Sequence, residues 1–217
     1  MKKLLLVIFC FCVFQLSAQK RYSCVVEYEN GKSRELYFDG EFNSIFGTKA
    51  NLIFYEYMSK EKIKINIEDI KNIRFNDMET PTVIRYAKVY PKKGAKNLLS
   101  TKKPLTVVYE DDKIFIGKVK EQVMSKMAYG PTTISYVISY YIQGPLESHP
   151  TLILKHEDKQ MSEVLFKMYM KKYVKDCPQL VERVKKGEFY QWSKKSSLDE
   201  IYMPILNVYK AYIKCKK

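Results

Sequence analysis

Apolar and polar residues alternate along most of the chain from Tyr22 to about Leu154. Successive side chains of a strand point to opposite faces, so a period of two predicts strands with one buried face. At the start of the chain, Asn30-Gly31 separates two such segments and predicts a tight hairpin turn. The pattern predicts eight or nine strands, at about residues 22–28, 36–38, 52–57, 63–67, 83–90, 105–109, 114–119, 133–142 and 151–154.

A lysine-rich stretch interrupts the strands at residues 91–104. It contains five lysines, no acidic residue and a single glycine. A phosphate-binding loop uses several glycines or a helix N-terminus aimed at the anion. We therefore expect a solvated surface loop or a short helix that bridges two halves of the sheet.

After residue 155 the apolar residues follow a helical period. Met161, Val164, Leu165 and Met168 form the first stripe, which starts near Asp158 or Ser162 and ends before Pro178. Pro178 suits the first turn of a second helix, and Gly187 suits its end. Ser197 and Glu200 form a capping box for a third helix, in which Pro204 forces a kink or marks a later start.

The predicted fold class is therefore α+β. An antiparallel β-rich domain at residues 19–155 precedes a C-terminal segment at residues 156–217, whose three short helices pack on it. The length of 217 residues is enough to bury a substantial core.

The first 18 residues predict export. Lys2 and Lys3 precede an apolar run from Leu4 to Leu16, and Ser17-Ala18 offers a cleavage site before Gln19. The run is shorter than the roughly 20 residues needed to span a bilayer, and no later stretch reaches that length. We expect residues 1–18 to be a signal peptide and the mature protein to be periplasmic or secreted, with no transmembrane segment.

The chain is basic, with 38 Lys and Arg residues against 24 Asp and Glu and a net charge of +14. Lysine dominates, whereas specific phosphate or base recognition favours arginine. We interpret the charge mainly as a solvated surface, with attraction to anionic envelope polymers as a second possibility. Nucleic acid is not an expected partner.

Removal of the leader leaves three cysteines, Cys24, Cys177 and Cys215. An oxidising compartment permits one disulfide. We favour Cys177–Cys215, because antiparallel packing of the second and third helices brings the start of one near the end of the other. Cys24–Cys177 is the competing pair. No Cys/His cluster has the spacing of a zinc site, and no cofactor is expected.

The segment from Lys172 to Lys185 contains Asp176-Cys177-Pro178 followed by Leu180. This "DCP-x-L" turn between helices resembles the C-terminal part of a group of exported Gram-negative bacterial proteins of unknown function. The Asn30-Gly31 hairpin and the turn at residues 67–70 are similar as well. The resemblance implies export and an α+β fold, and it implies no catalytic residues.

Two sets of residues are candidates for a functional site. Tyr86, Lys88 and Tyr90 alternate along one strand and would form an outward face that binds a glycan or an anionic polymer, although tyrosine is also common at half-buried strand positions. Glu147, His149 and His156 would form a hydrolytic site, although their spacing matches no known motif. The sequence favours a non-enzymatic binding or structural protein of the envelope, with an uncharacterised hydrolase as the alternative.

Overall fold

The computed structural model describes residues 21–39, 45–46, 50–56, 59, 61–126, 132–157, 162–190 and 201–217. Within these ranges lie ten β-strands followed by three α-helices. The strands are β1 (Arg21–Tyr28), β2 (Ser33–Asp39), β3 (Asn51–Tyr55), β4 (Lys62–Asn66), β5 (Ile70–Phe75), β6 (Thr82–Ala87), β7 (Lys103–Glu110), β8 (Phe115–Lys126), β9 (Thr132–Gln143) and β10 (Thr151–Glu157). The helices are α1 (Glu163–Tyr173), α2 (Pro178–Lys185) and α3 (Tyr202–Cys215). The predicted α+β arrangement is confirmed, and the predicted number of strands is too low.

All ten strands belong to one antiparallel sheet, in the order β10-β9-β8-β7-β6-β5-β1-β2-β3-β4. The three residues Ile67–Asp69 connect β4 to β5, although three strands lie between them in the sheet. A flat sheet would separate these strands by about 19 Å. The connection reaches at most about 14 Å. Strands β1–β5 must therefore curl into a roll, which we call the N-terminal roll.

The N-terminal roll encloses its own apolar core. Cys24 and Val26 on β1 are buried there. They share the core with the phenylalanines of three neighbouring strands, Phe38, Phe54 and Phe75. The β1–β2 hairpin turns at Gly31 with φ of 80°, a conformation that glycine adopts without strain. The hairpin predicted from Asn30-Gly31 is confirmed.

Strand β5 is the strand that the sequence pattern did not predict. Its buried residues are Ile70, Ile73 and Phe75, which do not alternate strictly. The pairing register with β1 shifts between Glu27 and Tyr28, so one extra residue of β5 is accommodated there. Such a bulge breaks the period of two, and the strand is hidden from a search for alternation.

The three helices cover one face of the second half of the sheet. Buried residues of β8, β9 and β10 pack there against Phe166 and Met170 of α1 and Val208 and Tyr209 of α3. A smaller cluster on the other face contains Val89, Leu105, Phe115, Val119 and Tyr141. In the ranges that the structure describes, no helix combines the length and apolar character needed to cross a membrane.

The helix ends follow from local sequence. The Ser162 hydroxyl accepts a hydrogen bond from the Leu165 amide at 3.2 Å and caps α1, whereas Asp158 lies outside the described residues. Helix α2 begins at Pro178, as predicted. Helix α3 begins at Tyr202, so Pro204 lies in its first turn, where a missing amide hydrogen costs little. Ser197 and Glu200, the predicted capping box, lie outside the described residues.

Strands β8 and β9 are longer than predicted and form a two-stranded projection. They pair with each other from Phe115–Gln143 to Lys126–Thr132. The pairing of β7 with β8 reaches only Lys118, and that of β10 with β9 reaches only Val137. We call residues 122–126 and 132–136, which extend beyond both neighbours, the β8–β9 ribbon.

Candidate functional site

The structure separates the three residues of the proposed tyrosine–lysine surface. Tyr86 is only 3% exposed and packs in the core of the N-terminal roll, so it does not belong to an outward face. Strand β6 ends at Ala87, and the exposed Lys88 follows it. Tyr90 is half-buried and forms a parallel bridge with Thr151 of β10. The expected face is wrong because β6 turns Tyr86 inward and the alternation stops before Lys88.

Glu147, His149 and His156 do not come together either. Glu147 and His149 lie in the turn between β9 and β10, whereas His156 lies near the far end of β10. A strand rises about 3.3 Å per residue, which places His156 about 16 Å along β10 from Thr151. His156 is buried, and its ring stacks on Tyr140 at 6.1 Å between centroids. The hydrolytic site expected from these three residues is therefore not formed.

The structure instead places a polar cluster where the loop between β6 and β7, residues 88–102, meets the helices. Lys93 is at its centre. The Lys93 ammonium donates hydrogen bonds to the Tyr173 carbonyl at 2.7 Å, to the Asp176 carboxylate at 3.2 Å and to the Tyr212 hydroxyl. It also lies 4.1 Å from the centroid of the Tyr212 ring. Burial lowers the pKa of Lys93, and the neighbouring Asp176 opposes this effect.

Asp176 is the acidic partner in this cluster and lies in the turn between α1 and α2. Its carboxylate accepts hydrogen bonds from the Tyr212 hydroxyl and from Lys216, the latter at 2.7 Å. Partial burial acts to raise its pKa, but the hydrogen bonds from Lys216, Tyr212 and Lys93 outweigh burial and hold the pKa well below its usual value. The carboxylate therefore stays charged and fixes the Lys93 ammonium.

A disulfide fixes the same corner of the molecule. Cys177 and Cys215 are bonded, with their Cα atoms 6.4 Å apart. Their chain neighbours Asp176 and Lys216 form the ion pair described above. The pair favoured from the sequence is thus confirmed, and Cys24 is the free cysteine of the described chain.

Glu147 forms a second polar group next to the first. Its carboxylate accepts hydrogen bonds from the hydroxyls of Tyr173 and Tyr209. Burial raises the pKa of Glu147, although the two tyrosine hydroxyls oppose this effect. Gly144 permits the approach of α3, because a Cβ atom there would lie 2.6 Å from the Tyr209 hydroxyl oxygen. Glu147 is thus held by tyrosines of the helices.

Two cavities flank Lys93. The first, of about 380 Å³, lies between the β6–β7 loop, β10 and α1, and we call it the β10–α1 cavity. Its wall is mainly apolar and includes Leu152, Ile153, Tyr169 and the Tyr173 ring. The second, of about 550 Å³, is more polar and is lined by Glu147, Tyr212 and Lys216 among others. Lys93 contributes to the walls of both cavities.

The rim of the β10–α1 cavity is positively charged. Lys92, Lys93, Lys172 and Lys175 line it together with a single acid, Asp176. Asp176 is already bonded to Lys93, Tyr212 and Lys216. Among the described residues no carboxylate forms an ion pair with the other three rim lysines. The mouth of an apolar cavity is thus surrounded by uncompensated positive charge.

The described residues contain neither an activated thiol nor a cluster of metal-binding side chains. Burial raises the pKa of the Cys24 thiol to about 12, which makes it a poor nucleophile. Within the described ranges, no three His, Cys, Asp or Glu side chains are grouped closely enough to hold a metal ion. Lys93 and Asp176 instead hold each other and the two adjoining tyrosines.

Comparison with known proteins gives no relative from which a role could be transferred. The chain matches no family model, no curated protein and no solved structure.

Sequence reasoning missed most of this site. It treated Lys93 as one lysine of a solvated loop and Asp176 as part of a helix-breaking turn. Lys93 and Tyr212 are 119 residues apart in the chain, and no local pattern reports such a contact. Glu147 was a candidate, but its partners are tyrosines and not histidines. The strongest available hint was the high tyrosine content, with 18 in the chain.

Proposed function

We propose that the protein is an exported, non-enzymatic binding module, and that its β10–α1 cavity holds a small ligand with an apolar body and an anionic group. The observation that carries this proposal is an apolar cavity of about 380 Å³ whose rim bears four lysines and one acid. Ligand pockets are commonly concave, mostly apolar and equipped with a few polar groups that orient the ligand.

The two parts of the cavity suit the two parts of such a ligand. Leu152, Ile153 and Tyr169 would contact the apolar body and remove it from water. Lys172 and Lys175 are exposed at the mouth, where their ammonium groups remain hydrated and attract an anion. An anionic amphiphile satisfies both regions, whereas a purely polar sugar would leave the apolar wall uncovered.

The state of the polar groups supports binding over catalysis. Lys93, Asp176 and Tyr212 are occupied by hydrogen bonds with one another, and Glu147 is occupied by two tyrosines. A catalytic constellation needs a nucleophile or base that can reach a substrate. Here the polar cluster positions the walls of the cavities instead.

The disulfide supports export. Disulfides persist in oxidising compartments and are rare in the cytosol. Cys177–Cys215 therefore agrees with the leader expected at residues 1–18, which lies outside the described residues. An anionic amphiphile of the cell envelope is the ligand class that this location suggests.

The test measures calorimetric binding of dodecanoate and of the uncharged dodecan-1-ol to residues 19–217 below the micellar concentration. We expect dodecanoate to bind about tenfold more tightly, because only the carboxylate meets the lysine rim. The variant K172E/K175E should lose this preference. The matched control K62E/K64E makes the same change of charge on the edge strand β4 and should retain it.

Three results would contradict the proposal. They are no binding of either probe, equal affinity for both probes in the native chain, and an equal loss in the two double variants. The last result would assign the preference to total charge instead of to the cavity rim.

A further inference from the structure

The two ends of the Cys177–Cys215 disulfide differ in their exposure to solvent. Cys177 is only 2% exposed and belongs to the core under the helices. Cys215, the last residue of α3, is exposed. A disulfide breaks when a thiolate attacks one of its two sulfur atoms, and access decides which atom is attacked. The burial of Cys177 therefore leaves Cys215 as the end at which an external thiolate can react.

A hollow of about 690 Å³ lies against this disulfide, and both cysteines contribute to its wall. The wall also includes Pro178 at the start of α2 and the small side chain of Ala211 near the end of α3. Residues 191–200, which lie outside the described chain, follow the end of α2 and precede the start of α3, so they join the opposite ends of the two helices. A small thiol thus has room beside the exposed cysteine.

Positive charge surrounds the exposed cysteine. Lys214 and Lys216 flank it in the chain, and Lys214 also lines the hollow. Lys216 is held by Asp176, whereas no carboxylate in the described part of the chain forms an ion pair with Lys214. The unbalanced charge of Lys214 attracts an anion to the hollow and repels a cation. An anionic thiol is therefore the favoured reactant.

The helix ends favour the same direction of attack. Cys177 lies immediately before Pro178 at the start of α2, where the partial positive charge of a helix N-terminus stabilises a thiolate. Cys215 lies at the end of α3, where the partial charge is negative. A better stabilised thiolate leaves faster in thiol–disulfide exchange. Access thus makes Cys215 the site of attack, and the helix ends make Cys177 the leaving group.

We propose that Cys215 is a site of thiol exchange, at which an anionic low-molecular-weight thiol forms a mixed disulfide. The thiolate attacks the sulfur of Cys215 and forms a new S–S bond, and the Cys177–Cys215 bond breaks. The electron pair of the broken bond leaves on the sulfur of Cys177, which takes up a proton from water. The products are one mixed disulfide and one thiol, so no other oxidant or reductant takes part. The reaction requires no ligand in the β10–α1 cavity.

The experiment treats oxidised residues 19–217 with glutathione, which is anionic, and with cysteamine, which is cationic. The rates of both thiols with an uncharged small disulfide correct for their intrinsic reactivity. N-ethylmaleimide added at early times blocks the released thiol, and chymotryptic mapping separates the two cysteine peptides, because Tyr173 and Tyr212 precede them. We expect about tenfold more glutathione on Cys215 than on Cys177, with the maleimide on Cys177. Glutathione should react faster than cysteamine at low salt, and the difference should shrink as salt is raised.

The variant K214E reverses the charge beside Cys215 and should slow the reaction with glutathione about fivefold at low salt. The matched control K64E makes the same change on the edge strand β4 and should react within about 1.5-fold of the native chain. Both lysines are exposed, so the fold should survive, and the urea midpoint of each variant checks this. Absence of an adduct, addition to Cys177 first or to both cysteines equally, equal corrected rates of the two thiols, or equal slowing in the two variants would overturn the proposal.

Discussion

At the scale of single residues, Lys93 connects segments that are far apart in the chain. Its ammonium bonds to Tyr173 across 80 residues and to Tyr212 across 119. Its side chain is 31% exposed, so water moderates the interaction without replacing it. Such a charge is expensive to remove, because the Tyr173 carbonyl loses the Lys93 donor and the Asp176 carboxylate keeps only Tyr212 and Lys216.

We predict that K93M lowers the free energy of unfolding by about 1–3 kcal/mol, because the variant keeps the length of the side chain and removes its hydrogen bonds. The neighbouring K92M removes an exposed lysine and should change stability by less than about 0.5 kcal/mol. Urea unfolding measures both. Equal effects in the two variants would show that the cluster around Lys93 adds no stability.

Asp176 gives a prediction for acid pH. Its folded pKa lies below the ordinary value of 3.8 because of the hydrogen bonds from Lys216, Tyr212 and Lys93, which outweigh the opposing effect of burial. The unfolded state then takes up the proton first as pH falls, so this stabilising contribution is complete above the ordinary value and is lost below it. The stability difference between the native chain and D176N should be constant from neutral pH to about pH 5 and should shrink below about pH 4.

Unfolding by urea at a series of pH values measures this difference. E147Q serves as a comparison with the opposite sign, because the pKa of Glu147 is raised by burial and its contribution becomes more favourable as pH falls. A D176N difference that stays constant down to the most acid measurable pH would contradict the assignment.

At the scale of elements, α2 and α3 are joined by a covalent bond and by an ion pair next to it. The disulfide closes a separation of 38 residues. Asp176 directly precedes Cys177 in the chain, and Lys216 directly follows Cys215. The Lys216 Nζ and Asp176 Oδ2 atoms are 2.7 Å apart. The last turn of α3, which carries Tyr212 into the polar cluster, is therefore fixed at its end.

We predict that C177S/C215S lowers the free energy of unfolding by about 3–4 kcal/mol, the value that chain entropy assigns to a loop of this length. Non-reducing peptide mapping of the native chain should recover the Cys177 and Cys215 peptides as one species. The control is the native chain treated with a reducing agent, which should match the double variant. A peptide that links Cys24 instead would contradict the structure.

The same scale shows which elements a sequence can predict. The β1–β2 hairpin follows from Asn30-Gly31 and strict alternation, both of which are local. Strand β5 is not predicted from the sequence, because its bulge opposite Glu27 and Tyr28 breaks the alternation of apolar and polar residues. The sequence places Tyr86 on an outward face, whereas the structure buries it. Alternation shows which residues share a face of a strand, but it does not show which of the two faces is covered by the rest of the chain. Lys93 was misread because its partners come from the other end of the sequence.

At the scale of the whole molecule, the proposals share one expectation, which is that the protein reaches the cell envelope. We predict that mass spectrometry of the native protein from an envelope fraction will find its N-terminus at or near Gln19. Replacement of Leu5 and Leu6 by arginine interrupts the apolar run and should keep the chain at full length in the cytoplasm. An intact Met1 in envelope fractions would contradict cleavage.

The burial of Cys24 has a consequence for the order of events in oxidative folding. The three cysteines of the described chain, Cys24, Cys177 and Cys215, allow three different pairs, and random exchange among them would trap part of the chain in a wrong form. The Cys24 thiol lies 3.4 Å from the Leu36 carbonyl, only 12 residues away, and its other strand partner is Phe75. Hairpins form in about 1–10 μs, whereas disulfides form over seconds to hours. Once the N-terminal roll has formed, Cys24 is withdrawn from exchange, and Cys177 and Cys215 then pair with each other.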